Sequence, residues 1–157
     1  AAVRGYAVGG GCEFAMSCDI RIAAEDAIFG FPETELGMTV TTAGTKLLTQ
    51  LVGLGKAKEL VFTGEFIDSS EAFRIGLANR VVPGDALMDE ALAMARKIAG
   101  RSPLALRLSR TAIEEGLHST FEQTLALEAD HLLTCANGTE YTGRVRDRLA
   151  EMGNRDR

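Results

Sequence analysis

A chain of 157 residues, 46% of them hydrophobic, is long enough for one domain with a sizeable core. Its net charge of -5, without any lysine or arginine run, makes nucleic acid an unsuitable partner. No apolar run approaches the ~20 residues of a membrane span and no basic-then-apolar signal pattern opens the chain, so a soluble, cytoplasmic protein without membrane contact is expected. The chain begins at Ala1-Ala2-Val3, without methionine and already in strand-like sequence, which fits a piece of a longer protein.

Residues 3–8 suit a buried strand, and a helix is predicted over 10–17, entered through Gly9-Gly10-Gly11 and carrying Glu13 early. Residues 20–24 read as a second strand. Strand, short helix and strand make a crossover unit, which predicts a layered α/β core with parallel pairing. Residues 25–37, with glycine and proline around Phe29 and Phe31, predict an irregular loop carrying Glu33. Leu47, Leu48, Leu51 and Val52 recur at helical spacing up to Gly53, and Ala57, Leu60 and Val61 repeat the pattern up to Gly64. Asp68, with Glu71 three residues on, reads as the N-cap of a brief helix that Gly76 closes. A short strand is predicted over 77–82. Asp85 is placed to cap a helix whose core face is Leu87, Ala91, Met94, Ala95 and Ile98. Two more helices follow, one after Pro103 and one around Phe121, Leu125, Ala129, Leu132 and Leu133. The composition turns almost wholly helical near residue 65, and so many apolar faces call for a partner subunit. Residues 137–157 are polar and mixed in charge, either a surface helix or a frayed tail.

The stretch Gly9-Gly10-Gly11-Cys12-Glu13 concentrates the candidate chemistry. Glycines let backbone N–H groups approach a ligand, and a helix N-terminus favours negative charge developing on an oxygen. Gly10 is therefore the candidate donor and Glu13 the candidate acid or base; a tight turn with a dipole-complementing carboxylate would use the same residues. A dinucleotide fingerprint starting at Gly9 would need glycine where Phe14 stands, and a P-loop over 5–10 would need lysine where Gly11 stands. Glu33, twenty positions after Glu13, is the second candidate. Two carboxylates converging in a partly apolar cleft repel, so that one holds a proton while the other is ionised. Spacing alone does not bring them together, and a glutamate in such a loop also serves as a cap or a surface group. His118 and His131 lie on separate predicted helices with no clustered ligand, so no metal site is expected. Cys12, Cys18 and Cys135 form neither an even disulfide set nor a C-x-x-C framework and are expected to be buried thiols in a reducing compartment. Cys12 at a helix N-terminus has a nucleophile's position but no histidine near it in sequence. Asn137-Gly138-Thr139 matches a glycosylation acceptor, idle in an intracellular protein.

The chain resembles the enoyl-CoA hydratase/isomerase family, the crotonase superfamily, over about residues 1–133. The resemblance rests on Gly5-Tyr6-Ala7-Val8-Gly9-Gly10-Gly11-Cys12-Glu13, on Cys18-Asp19, on Phe29-Gly30-Phe31-Pro32-Glu33 and on Leu36-Gly37. Leu60-Val61-Phe62-Thr63-Gly64 and Ala72-Phe73-Arg74-Ile75-Gly76-Leu77-Ala78-Asn79-Arg80-Val81-Val82-Pro83 extend it. It implies an α/β fold: part of a crotonase-like ββα spiral with active-site loops over 1–65, a helical trimerisation region over 66–136, and a polar tail or helix over 137–157. A homotrimer or hexamer acting on an acyl-CoA thioester in fatty acid metabolism is implied with it. Carried over by position, Gly10 supplies one oxyanion-hole N–H, Glu13 positions and deprotonates water, and Glu33 delivers a proton to the α-carbon. Gly9, Gly11, Phe31, Pro32, Gly37 and Val40 are the implied substrate-binding positions. Neither a metal nor a cofactor is implied, coenzyme A being part of the substrate. Both glutamates together favour hydration of a 2-enoyl-CoA. The alternatives are a double-bond isomerase using Glu33, or a truncated, non-catalytic acyl-CoA-binding or oligomerisation module. Three departures stand out. Where the family usually continues after Leu36-Gly37 with a proline and a glycine-rich turn, this chain has Met38-Thr39-Val40-Thr41-Thr42-Ala43-Gly44, which implies a differently shaped pocket. The family's C-terminal signature is not clear in 137–157, and the front of a typical family chain, with the other oxyanion donor, has no counterpart here.

Overall fold

The structure, a computed structural model, describes residues 1–153. The chain forms two compact units, Ala1–Ala95 and Arg96–Arg157. In the first unit, β1 (Ala2–Val3), β3 (Ile22–Ala24) and β6 (Arg80–Val82) make a parallel sheet in the order β1-β3-β6, with Ala2 opposite Ile22 and Ala23 opposite Val81. A second sheet has the order β2 (Tyr6–Val8), β4 (Ile28–Gly30), β5 (Ile67–Asp68), with β2 parallel and β5 antiparallel to β4.

The single strand predicted over 3–8 is thus two strands in different sheets. Gly5, at φ +63°, makes the break: a left-handed backbone ends one ladder while its carbonyl accepts from Ile28 N–H at 2.9 Å to start the next. The loop expected over 25–37 contains β4, because Ala27, Phe29 and Phe31 alternate inward and are all fully buried. Only its second half is irregular, with a 3-10 turn at Pro32–Thr34. The strand predicted over 20–24 begins at Ile22, since Arg21 just before it is held elsewhere. Its Nε donates to Leu77 O at 2.7 Å, its Nη1 donates to Cys18 O, and its backbone N–H donates to Asn79 Oδ1 at 2.8 Å. Burial lowers the Arg21 pKa from its ordinary value.

The glycine-led helix is α1 (Gly10–Met16), which buries Cys12, Glu13, Ala15 and Met16 and leaves Phe14 exposed. Helices α2 (Gly44–Val52) and α3 (Leu54–Thr63) end at Gly53 and Gly64, both at positive φ, as the glycine stops predicted. Helix α4 (Ser69–Arg74) is capped by Asp68, whose side chain accepts from Glu71 N–H at 2.8 Å. In α5 (Leu87–Ala99) the predicted cap is displaced: Ala86 N–H bonds Pro83 O in a turn, and the Ala86 carbonyl then accepts from Glu90 N–H, so Asp85 stays outside. Its Leu87, Ala91 and Met94 pack on Ile22 and Ala24, whereas Ala95 and Ile98, predicted on the same face, are exposed. The main core gathers Phe29, Phe31, Leu48, Leu60 and Leu77 between the second sheet and α1 to α4. This unit runs well past the composition shift near residue 65, because β5 and β6 lie beyond it and pair with β4 and β3.

The second unit is helical: α6 (Pro103–Gly116), α7 (Phe121–Ala136) and α8 (Thr139–Gly153), with α7 packed on both others. Ser102 caps α6 with Pro103 next, and Thr120 with Gln123 forms a capping box on α7. The polar segment predicted as helix or tail is α8 up to Gly153; residues 154–157 lie outside the described residues. Ile113, Phe121, Leu125, Leu132 and Leu133 are exposed on α6 and α7. Among the described residues no helix is long and apolar enough to cross a membrane.

Candidate active site

Strand β2 runs into Gly9, whose N–H donates to Gly30 O at 2.9 Å and whose carbonyl accepts the first α1 bond from Glu13 N–H at 3.0 Å. A φ of +55° makes glycine the natural residue there. Gly10 is the first helical residue, so its N–H has no partner within the helix, and a Cβ at Gly10 or Gly11 would meet nothing within 4 Å. The backbone here is open to an incoming group.

Glu13 is buried, at 3% exposure, and its carboxylate is held from a segment 28 residues away. Thr41 N–H donates to Oε1, and the Thr41 hydroxyl donates to Oε2 at 3.2 Å. Gly44 presses on the same side chain: a Cβ there would come within 3.1 Å of Glu13 Cγ and Oε1 and within 2.7 Å of Val40 Cγ1. Between these contacts, Thr42 and Ala43 take left-handed conformations at φ 49° and 57°. Non-glycine residues held there cost roughly 1–2 kcal/mol each, a strain that persists only where surrounding contacts impose it.

Glu33 sits in the 3-10 turn, after the fully buried Phe31 and the half-buried Pro32. The turn is tied down by Met38 N–H donating to Glu33 O at 2.8 Å and by the Thr34 hydroxyl donating to Val61 O at 2.8 Å. The Glu33 carboxylate reaches back to the glycine stretch, its Oε1 lying 3.0 Å from where a Gly9 Cβ would be. Its Oε2 is buried without a hydrogen-bond partner, the kind of unsatisfied polar atom that calls for a functional or solvent partner. Cys12, next to Glu13 in α1, is wholly buried. Burial, above all, pushes its thiol up to about 12; the Gly30 backbone opposes this, and Glu33 and Glu13 add to the rise. A nucleophilic role for Cys12 is therefore not available. Cys18 and Cys135, expected to be buried, are half-buried.

The structure thus brings Glu13, Glu33, Gly9 and Cys12 to the start of α1. Val40 is buried against Gly44, and Gly37, exposed at φ +69°, has nothing within 4 Å of a Cβ. Thr41 is the residue that sequence reasoning missed. Its signal was the departure from the family pattern over 38–44, which pointed to pocket shape and not to Glu13.

The family model described as "Enoyl-CoA hydratase/isomerase" matches residues 1–146. A short-chain-enoyl-CoA hydratase of Clostridium acetobutylicum is 49% identical over 135 residues, covering 86% of this chain and 52% of that protein. The crystal structure of an enoyl-CoA hydratase from Bacillus anthracis superposes with a TM-score of 0.90 at 36% identity, over 94% of this chain and 57% of that one. A putative enoyl-CoA hydratase from Thermobifida fusca, solved in complex with CoA, gives a TM-score of 0.83 at 31% identity, over 98% and 55%. The chain belongs to the enoyl-CoA hydratase/isomerase family and has its crotonase-like α/β fold. It spans about half the length of the Clostridium relative, 52%.

Proposed function

We propose that this chain carries the two carboxylates and one oxyanion donor of an enoyl-CoA hydratase, adding water across the double bond of a short 2-enoyl-CoA thioester. The observation that carries the proposal is that Glu13 and Glu33, twenty positions apart, both come to the glycine-led start of α1. With the thioester oxygen at Gly10 N–H, Glu13 takes a proton from water as the water oxygen bonds the β-carbon. The π electrons move toward the thioester oxygen, and Glu33 gives its proton to the α-carbon, restoring the carbonyl. Gly9, Gly11, Phe31, Pro32, Gly37 and Val40 shape the surrounding pocket. The scheme uses no cofactor beyond the coenzyme A of the substrate.

The exposed apolar residues of α6 and α7 support assembly into a homotrimer or hexamer. The deciding experiment is loss of the conjugated thioester absorbance of crotonyl-CoA. Glu13→Gln and Glu33→Gln should each lower kcat by about 10²–10⁴-fold, the usual range for a lost acid or base. Wild-type turnover in both variants would sink the two-carboxylate scheme. One observation favours a second reading, isomerisation by Glu33 alone: both Glu13 oxygens are engaged by Thr41, whereas Glu33 Oε2 is unengaged. In that case Glu13→Gln would leave double-bond migration in a 3-enoyl-CoA intact and Glu33→Gln would abolish it.

A further inference from the structure

We infer that the Thr41 hydroxyl is a positioning group for Glu13, fixing the carboxylate plane that aims it at water; this rests on the hydration proposed above. An ionised carboxylate accepts only, so both Thr41 contacts are donations to it: the backbone N–H to Oε1 and the hydroxyl to Oε2 at 3.2 Å. One residue thus holds both oxygens. A single N–H leaves a carboxylate free to rotate about its last bond, whereas two donors on two oxygens fix that rotation and leave one lone-pair direction on each oxygen for a substrate water.

The neighbouring backbone is arranged around this grip. Thr42 and Ala43 hold left-handed conformations, and the Thr42 hydroxyl lies 3.5 Å from Thr41 Oγ1. Gly44 makes room for this arrangement, since Glu13 Cγ and Val40 Cγ1 fill the space a Cβ would take. A glycine at 41 would keep the N–H contact and lose the hydroxyl. The hydroxyl is therefore a feature of this chain's 38–44 segment, added to what its backbone supplies.

Thr41 is exposed, so its substitution leaves the core untouched. Thr41→Val keeps the β-branch and the N–H and removes only the donor. With crotonyl-CoA it should lower kcat about tenfold, the scale of a lost hydrogen bond to a charged group, with KM within about twofold. Thr41→Ser should restore kcat to within about twofold of wild type. Independently of turnover, Thr41→Val should lower the urea unfolding midpoint in the wild-type chain and leave it unchanged in a Glu13→Met background, where the acceptor is gone. Equal midpoint shifts in both backgrounds would overturn the contact whatever the kinetics. Wild-type kcat in Thr41→Val beside an inactive Glu13→Gln would overturn the positioning role and leave hydration standing. Full turnover in Glu13→Gln, or none in the wild type, would instead overturn the hydration proposal and Thr41's part in it, the midpoint cycle still deciding the contact.

Discussion

At Gly9 two demands fall on one residue. Its backbone is left-handed at φ +55°, and the place of its missing Cβ is 3.0 Å from Glu33 Oε1. Gly9→Ala should therefore destabilise the chain by about 1–2 kcal/mol, seen in urea unfolding, and displace Glu33, seen as lost turnover of crotonyl-CoA. An unchanged midpoint with full turnover would show that neither demand is real. The glycines and both glutamates were legible in the sequence, but on different grounds. Backbone freedom and the helix start follow from the residues themselves, whereas the pairing of Glu13 with Glu33 came only with the family resemblance. The Thr41 hydroxyl was legible on neither ground. Its partner is 28 residues away, no periodicity links them, and the resemblance carries no residue role onto Thr41.

At the scale of elements, α3 and α4 are clasped by charge. Lys56 Nζ bridges Glu59 Oε1 at 2.7 Å and Glu71 Oε1 at 3.0 Å, and Arg74 Nε meets Glu71 Oε2 at 2.6 Å. Hydrogen bonds from Arg74 first and Lys56 second hold the Glu71 carboxyl down to about 2, below its ordinary 4.5. A carboxyl depressed in the folded state adds stability above its unfolded pKa, and that contribution is lost as the pH falls through the folded value. Between about pH 5 and about pH 2.5 the wild type should lose more of its thermal midpoint than Glu71→Gln; parallel losses would mean the clasp does not bear on stability. The clasp itself was not legible, but the ends of its helices were. Asp68 as a cap and Gly53 and Gly64 as stops are local signals, and each appears where predicted. Strand boundaries were less so. The apolar run over 3–8 carries no mark of passing from one sheet to another except Gly5, and the aromatic alternation of β4 is masked by the glycine and proline beside it.

At the scale of the whole molecule, Phe121, Leu125, Leu132 and Leu133 are exposed along α7, an apolar face of the kind that assembly covers. Light scattering should give a trimeric or hexameric mass, and Leu132→Asp should reduce it; a monomeric wild type at micromolar concentration would remove the assembly from the proposal. The apolar faces of α6 and α7 were legible from spacing alone, because amphipathic faces are written in periodicity. The extent of the compact units was not, since β5 and β6 reach back to β4 and β3 across intervening helices. The thiol of Cys12, wholly buried and kept protonated chiefly by that burial, has a use beyond the chemistry it declines. Alkylating reagents reach it only when the first unit opens, while the half-buried Cys18 and Cys135 have no such requirement. The protein thus carries a native clock, in which the slow labelling of one sulfur counts how often the ground beneath Glu13 and Glu33 gives way.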